Sequence, residues 1–222
     1  MESIIQNFPY LLKAAFLTIE LTILSLFIGC LLGLFFSILR LSKNKIIFKF
    51  AYYYSFIFRG TPLLVQIFII YFGLAQLEFI RDSFLWIVLK EPYWCAIISF
   101  TLNTGAYTSE IFRSAFEKVD KGTIEAGKSL GLSKFKIFLK IKFPLAIKSS
   151  IPAYGNEMIL MLKGTSLAST VTLIDLTGAS KYIISTNFNP VEVFIFSGSI
   201  YLFFTFFIHN IIKYTEKKMR VF

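Results

Sequence analysis

Long uncharged apolar runs constrain this chain more than any other feature of its sequence. One covers residues 21–39 and another covers residues 193–208. Each approaches the length of about 20 residues that a helix needs to cross a bilayer. In addition, 56% of the residues are hydrophobic, which is more apolar surface than a soluble domain of 222 residues carries. The sequence therefore predicts an all-α polytopic membrane protein, organised as one transmembrane domain over residues 1–222.

The apolar runs and the polar stretches between them predict five transmembrane helices. These are expected at about residues 11–39, 51–77, 94–112, 151–168 and 193–212. Gly60 and Pro62 predict a break in the second span near its cytoplasmic end, because proline removes a backbone donor and glycine frees the chain. Residues 78–91 form a charged external loop. Residues 168–188 are too polar to face lipid, so we expect an external or re-entrant element that packs on protein.

The distribution of basic residues predicts the orientation. Most of the 23 lysines and arginines fall in three segments, 40–49, 113–148 and 213–220. Cytoplasmic loops of membrane proteins carry such an excess, so the pattern favours an N-terminus outside and a C-terminus inside. The net charge of +10 has the same explanation and needs no nucleic-acid partner.

The segment 116–148 is the long polar interruption of the apolar pattern, and its part from Glu125 to Pro144 is expected to form two short helices. We expect Thr123 to cap the first helix, and Gly131 to adopt the left-handed conformation after a helix that ends at Leu130. Ser133 can cap a second helix that Pro144 interrupts. That second helix is amphipathic and basic, so it can lie on a membrane surface or contact a partner protein.

A rival pattern overlaps this segment. Residues 122–129 match the phosphate-binding pattern G-x-x-x-x-G-K-[ST] letter for letter. The pattern holds nucleotide only where a buried strand enters the loop, and the preceding residues 116–121 are too polar for such a strand. Glu125 would also place a carboxylate inside the phosphate cradle. We therefore interpret the match as chance.

The spacing of Glu125, Ala126, Gly131, Ile141 and Pro144 resembles the cytoplasmic EAA loop of permease subunits of ATP-binding-cassette (ABC) importers. The strings FRGTPLLVQIFIIYFGL and TLNTGAYTSEIFR resemble polar amino acid permeases, and the resemblance extends over about residues 17–214. It implies a type I ABC importer permease fold whose loop docks on a separate ATP-binding subunit. The residues implied to couple the two subunits are Glu125, Ala126, Gly127, Gly131, Ile141 and Pro144. Gly127 stands where the family usually has alanine.

The string IPAYGNEMILMLKGTSLAS resembles the basic amino acid branch, which takes histidine, arginine, lysine, ornithine and opines. Gly164 departs from the aspartate that many relatives carry. The resemblance implies a multi-pass protein of the bacterial plasma (inner) membrane, surrounded by membrane lipid. Its implied partners are an ATP-binding subunit, a second permease subunit (the same or a related chain), an extracytoplasmic amino-acid-binding protein and the amino acid substrate. No cofactor is implied.

Glu157 is the candidate for a substrate contact. It lies about 9 Å along the helix from residue 151, where an ionised carboxylate costs on the order of 2.5–3.5 kcal/mol unless it faces water or a partner. Two interpretations stay open: a contact with a cationic substrate, or an ion pair with Arg59 or Lys163. The residues expected to line the same substrate path are Asn156, Met161, Thr165 and Ser166.

Nothing in the sequence favours an enzyme or a metal site. His209 is the single histidine, and Cys30 and Cys95 lack metal-binding spacing, so these side chains are expected to pack. Residues 103–110 give the third span a polar middle, which serves either close helix packing or the lining of a path. The alternative function is a secondary transporter or channel driven by an ion gradient. Its expected signs, inverted repeats and several intramembrane charges, are not evident.

Overall fold

The computed structural model describes residues 2–220, which form helices joined by short turns. The α-helices are α1 (Glu2–Leu39), α2 (Lys45–Gly60), α3 (Leu63–Phe68), α4 (Glu78–Arg81), α5 (Trp86–Leu89), α6 (Pro92–Glu117), α7 (Lys121–Ser129), α8 (Lys134–Ile137), α9 (Phe143–Gly164), α10 (Leu176–Asn187) and α11 (Pro190–Arg220). A π-helical segment (Ile69–Gly73) and a 3-10 segment (Leu74–Gln76) extend α3. Another π-helical segment (Phe138–Lys142) joins α8 to α9, and a 3-10 segment (Thr165–Val171) follows α9.

Two of the described helices, over Asn7–Leu39 and Pro190–Met219, are each long and apolar enough to cross a membrane. Up to four spans result if each of two sharply bent helix pairs counts as one. The helix α6 is long enough to cross at 26 residues, although its middle is polar. All five predicted spans lie mainly in helical segments, whereas their number stays a prediction.

The predicted break at Gly60 and Pro62 is confirmed. The helix α2 ends at Gly60 and α3 begins at Leu63, and the axes on the two sides differ by 105°. The side-chain amide of Gln66 donates to the carbonyl oxygens of Phe58 and Thr61 at 2.8 and 3.0 Å. Gln66 therefore satisfies backbone acceptors that the end of α2 leaves open.

The packing of α1 on α6 uses small residues at the closest approach. A Cβ atom placed on Gly29 would lie 2.3 Å from Cγ2 of Thr104, and one on Gly33 would lie 2.6 Å from Cβ of Thr108. Both threonines are buried. The interpretation of close helix packing is thus confirmed for this part of the polar middle of α6, because side chains on either glycine would separate the helices.

The segment after α9 packs on protein, as expected. Asp175 is fully buried and caps α10, where its carboxylate accepts from the backbone N–H groups of Thr177 and Gly178 at 3.1 and 3.0 Å. The hydroxyl of Thr18 on α1 accepts from the N–H of Leu176 at 3.0 Å. The start of α10 is therefore fixed against α1 by polar contacts that a lipid-facing segment could not make.

Two expectations for the polar segment need correction. The cap of α7 is Asp120 rather than Thr123, since the N–H of Thr123 donates to the Asp120 carboxylate at 2.8 Å. This hydrogen bond lowers the pKa of the Asp120 carboxyl. Pro144 does not break the chain's helical path; it lies in the first turn of α9, where the missing N–H costs no hydrogen bond. The predicted fourth span accordingly belongs to a helix that begins at Phe143 rather than near residue 151.

Candidate functional site

The two helices of the polar segment are joined by a tight turn at Gly131. Gly131 has φ +74°. Its N–H donates to the carbonyl oxygen of Lys128 at 2.9 Å, and the N–H of Leu132 donates to the carbonyl oxygen of Gly127 at 3.1 Å. Ser133 caps α8, accepting from the N–H of Lys136 at 3.4 Å. The predicted roles of Gly131 and Ser133 are confirmed. Because residues 122–129 lie within α7, they do not form the loop that phosphate binding requires.

Gly127 and Ile141 meet where α7 packs against the π-helical turn. A Cβ atom on Gly127 would lie 2.7 Å from Cδ1 of Ile141 and 3.5 Å from Cγ1 of Ile137. An alanine here would require the Ile141 side chain to shift, which gives a physical reason for glycine. The other residues of the implied coupling set, Glu125, Ala126, Gly131 and Pro144, are exposed.

The helix pair presents apolar side chains to solvent. Leu130 is 81% exposed and Phe135 is 70% exposed. Exposed lysines surround them, including Lys128, Lys134 and Lys136. Exposed apolar side chains with charged neighbours are typical of protein-binding surfaces, so this surface can bind a partner with an apolar, acidic cleft.

The second candidate site is a cavity of about 220 Å³ between α3, α6 and α9. Its lining residues are Leu63, Asn103, Tyr107, Glu157, Leu160 and Met161. Glu157 is 5% exposed and accepts a hydrogen bond from the Thr104 hydroxyl at 2.8 Å. A buried carboxylate in the wall of a cavity can bind a cationic group that enters it.

The ion pair expected for Glu157 is not formed within residues 2–220. Arg59 instead lies 3.3 Å from the carboxylate of Glu110, and Lys163 has no carboxylate partner in that range. The Thr104 hydroxyl is thus the hydrogen-bond donor found for Glu157. The ion-pair interpretation is wrong for this conformation.

Asn103 connects the cavity to the break between α2 and α3. Its side-chain amide donates to the carbonyl oxygen of Phe58 and to Oε1 of Gln66, each at 3.1 Å. The sequence predicts a polar middle of α6 that contains Asn103, but no role was predicted for Gln66 or for the Tyr107 side chain. Their signal was weak, since Gln66 is a single amide in an apolar run.

The other residues predicted for the substrate path do not all line the same cavity. Met161 lines the cavity beside Glu157. Asn156 is exposed and lines a different cavity, near His209. The hydroxyls of Thr165 and Ser166 donate to the carbonyl oxygens of Leu162 and Lys163 at the end of α9, each at 2.7 Å. The structure therefore places Met161 with Glu157 and separates Asn156 from them.

A cluster of charges joins α6 to the ends of α1 and α2. Glu110 on α6 forms ion pairs with Arg40, which follows α1, with Arg59 at the end of α2, and with Arg113. The Arg40 side chain is 8% exposed. Arg59 also lies over the ring of Tyr107, 5.6 Å from its centroid. The cluster thus connects the cavity wall to the ends of α1 and α2, and it was not predicted from the sequence.

Residues 25–221 match the family described as binding-protein-dependent transport system inner membrane component. The chain is similar to the nopaline transport system permease protein NocM of Agrobacterium fabrum, with 47% identity over 97% of this chain and 90% of that protein. It is 38% identical to the histidine/lysine/arginine/ornithine transport system permease protein HisM of Escherichia coli K12, over 91% of this chain and 85% of that protein.

Chains from two solved ABC transporter structures are also similar to this chain. A chain from the crystal structure of an amino acid ABC transporter with histidines superposes with a TM-score of 0.88 at 32% identity, over 97% of both chains. A chain of the inward-facing MetNI methionine ABC transporter superposes with a TM-score of 0.76, over 94% of this chain and 95% of that chain. Its identity is 16%, so this second similarity concerns the fold alone.

Proposed function

Since this chain belongs to the family of binding-protein-dependent transport system inner membrane components, we propose that it is the permease subunit of an ABC importer for basic amino acids or opines. The observation that carries the proposal is the exposed pair α7–α8, on which Leu130 is 81% exposed and Phe135 is 70% exposed. Such a surface gives a membrane protein a means of binding a separate energy-converting subunit. The relatives named above are permeases of opine and basic amino acid transport systems.

The proposed assembly contains this chain, a second permease subunit, ATP-binding subunits and an extracytoplasmic binding protein. The coupling residues are Glu125, Ala126, Gly127, Gly131, Ile141 and Pro144. When ATP binding draws two ATP-binding subunits together, the docked α7–α8 pairs move with them as rigid bodies. That movement opens the substrate path to the outside. This chain itself carries out no catalysis.

The proposed topology has five spans, formed by α1, the bent pair α2–α3, α6, α9 and α11, with the C-terminus inside. The basic segments after α1 and between α6 and α9 support it. Phe222 lies outside the described residues, and cysteines at two described positions test the topology. With Cys30 and Cys95 replaced, we expect a membrane-impermeant maleimide to label Ser83→Cys in intact cells, and Ser133→Cys after lysis. The reverse pattern would contradict the topology.

The proposed substrate contact is Glu157, with Met161 beside it and Asn103 and Tyr107 across the cavity. The proposed partner of this buried carboxylate is a cation, since within residues 2–220 its hydrogen-bond donor is the Thr104 hydroxyl. Asn156, Thr165 and Ser166 stay proposed members of a longer path, although their polar atoms do not line this cavity. The charge of Glu157 is therefore the property that selects basic substrates.

The experiment that tests the function is uptake by the reconstituted complex, with Gly131→Val as the coupling variant and Gly131→Asn as its control. Among the described residues no atom lies within 4 Å of a Cβ placed on Gly131, so the positive φ is what penalises a side chain there. A β-branched residue there costs about 1–2 kcal/mol, whereas asparagine tolerates this conformation. We expect Gly131→Val to lower ATP-driven uptake about fivefold or more and Gly131→Asn to retain most of it.

Two outcomes would contradict this proposal. Normal uptake and binding-protein-stimulated ATP hydrolysis in Gly131→Val would remove α7–α8 from the coupling path. Uptake that continues without ATP and stops when the proton gradient is dissipated would favour a secondary transporter.

A further inference from the structure

A groove between the start of α9 and the end of α11 includes Pro144 of the proposed coupling residues, whereas its other lining residues have no role in the function described above. Its volume is about 540 Å³. Its lining residues are Pro144, Lys148, Tyr214, Thr215, Lys218 and Met219. The two helices touch closely further along, where a Cβ atom on Gly155 would lie 2.5 Å from Cδ1 of Ile212. The groove therefore opens where α9 and α11 separate beyond this contact.

The chemistry of the groove is cationic. Lys148 and Lys218 both line it from opposite helices, and neither forms an ion pair with a carboxylate of residues 2–220. The nearest acidic side chain in sequence, Glu216, lines the adjoining cavity beside Lys213 instead. Two lysines without a carboxylate partner favour an anionic ligand.

The surface of α11 changes from apolar to basic along one stripe that leads into the groove. Phe207, Ile211, Tyr214 and Lys218 follow the spacing of one helical face. Phe207 is 59% exposed and Ile211 is 48% exposed, as lipid-facing side chains are. Ile211 and Lys218 are about 10 Å apart along the axis. Tyrosine between an apolar and a charged zone is typical of the membrane interface.

We propose that this groove binds the phosphate of an anionic phospholipid of the inner leaflet. The headgroup lies between Lys148 and Lys218, and the acyl chains follow Ile211 and Phe207 into the bilayer. Basic pockets between helices on the cytoplasmic side bind acidic headgroups for this reason. The assignment to the inner leaflet rests on the proposed topology, and it requires no particular transport substrate.

The test measures lipid retention by native mass spectrometry on the complex purified through a tag on this chain. The complex is mixed with equal amounts of phosphatidylglycerol and phosphatidylcholine. We expect the unmodified complex to retain phosphatidylglycerol preferentially. The variant Lys148→Gln/Lys218→Gln should bind it about thirtyfold more weakly, and each single variant about fivefold more weakly.

The matched control is Lys45→Gln/Lys49→Gln on α2, which removes the same charge at exposed positions of another predicted cytoplasmic segment. Its phosphatidylglycerol retention should stay within about threefold of the unmodified complex. Equal loss in this control would mean diffuse attraction and overturn the site, as would the absence of a lipid preference in the unmodified complex. If Lys148→Gln/Lys218→Gln retains the lipid but loses a subunit, the groove binds protein instead.

Discussion

Replacing Glu157 by glutamine is expected to lower the uptake of cationic amino acids roughly thirtyfold. Glu157 is 5% exposed, and no basic side chain of residues 2–220 pairs with it. Removing one partner of a buried charge pair costs about 2 kcal/mol or more, and each 1.4 kcal/mol is a factor of ten. The measurement is uptake of arginine by the reconstituted complex at saturating binding protein.

The stability of the Glu157→Gln complex separates a substrate contact from a structural role. Glutamine keeps the oxygen that accepts from Thr104, and burying a neutral amide costs less than burying a carboxylate. We therefore expect assembly, ATP hydrolysis and thermal stability to be retained. A second variant, Thr104→Val, removes the hydrogen bond but keeps the charge, so its loss of uptake should be much smaller. Normal arginine uptake by Glu157→Gln, or its failure to assemble, would make the carboxylate structural.

The size of the cavity limits what this chain contacts. About 220 Å³ is less than the roughly 300–1,000 Å³ of ordinary small-molecule pockets. Such a space suits the cationic end of a side chain better than a whole amino acid. The remainder of the substrate is then bound by other surfaces of the assembly. The proposed substrate contact of this chain is therefore limited to the charge of Glu157.

Local signals were predicted well from the sequence. Gly131 and Ser133 were assigned correctly because a left-handed turn and a helix cap depend on a few neighbouring residues. The break between Gly60 and Pro62 was predicted for the same reason. The prediction that Thr123 caps α7 was wrong because Asp120, three residues earlier, offers a stronger acceptor. Competition between nearby residues of similar chemistry is difficult to judge from sequence.

Non-local contacts account for the other differences. The ion pair of Arg59 with Glu157 was a reasonable expectation, but Glu110 is the carboxylate that Arg59 reaches. Asn156 directly precedes Glu157, and adjacent helical residues point about 100° apart, so it faces a different cavity. Spacing within one helix therefore predicted Met161 as a neighbour of Glu157. The sequence carried no equivalent rule for contacts between helices.

Replacing Glu110 by glutamine is expected to be the most destabilising change. Glu110 pairs with three arginines, and the Arg40 side chain among them is 8% exposed. Breaking a buried pair costs about 3–5 kcal/mol because the remaining charge stays buried and unpaired. Glu110 itself is 24% exposed, so water lowers the cost to about 2–3 kcal/mol. The measurement is the unfolding temperature of the purified chain, which should fall by roughly 5–10 °C.

The matched control is Glu117→Gln, which removes a carboxylate from the same helix. Glu117 is 55% exposed and, within residues 2–220, pairs with Arg113, and exposed pairs contribute about 0–1 kcal/mol. Its unfolding temperature should fall by about 4 °C at most. The double variant Arg40→Gln/Glu110→Gln should recover part of the stability lost in Glu110→Gln, since it leaves no buried guanidinium without its carboxylate. Equal shifts for Glu110→Gln and Glu117→Gln would mean that burial of Arg40 does not determine the stability of the cluster.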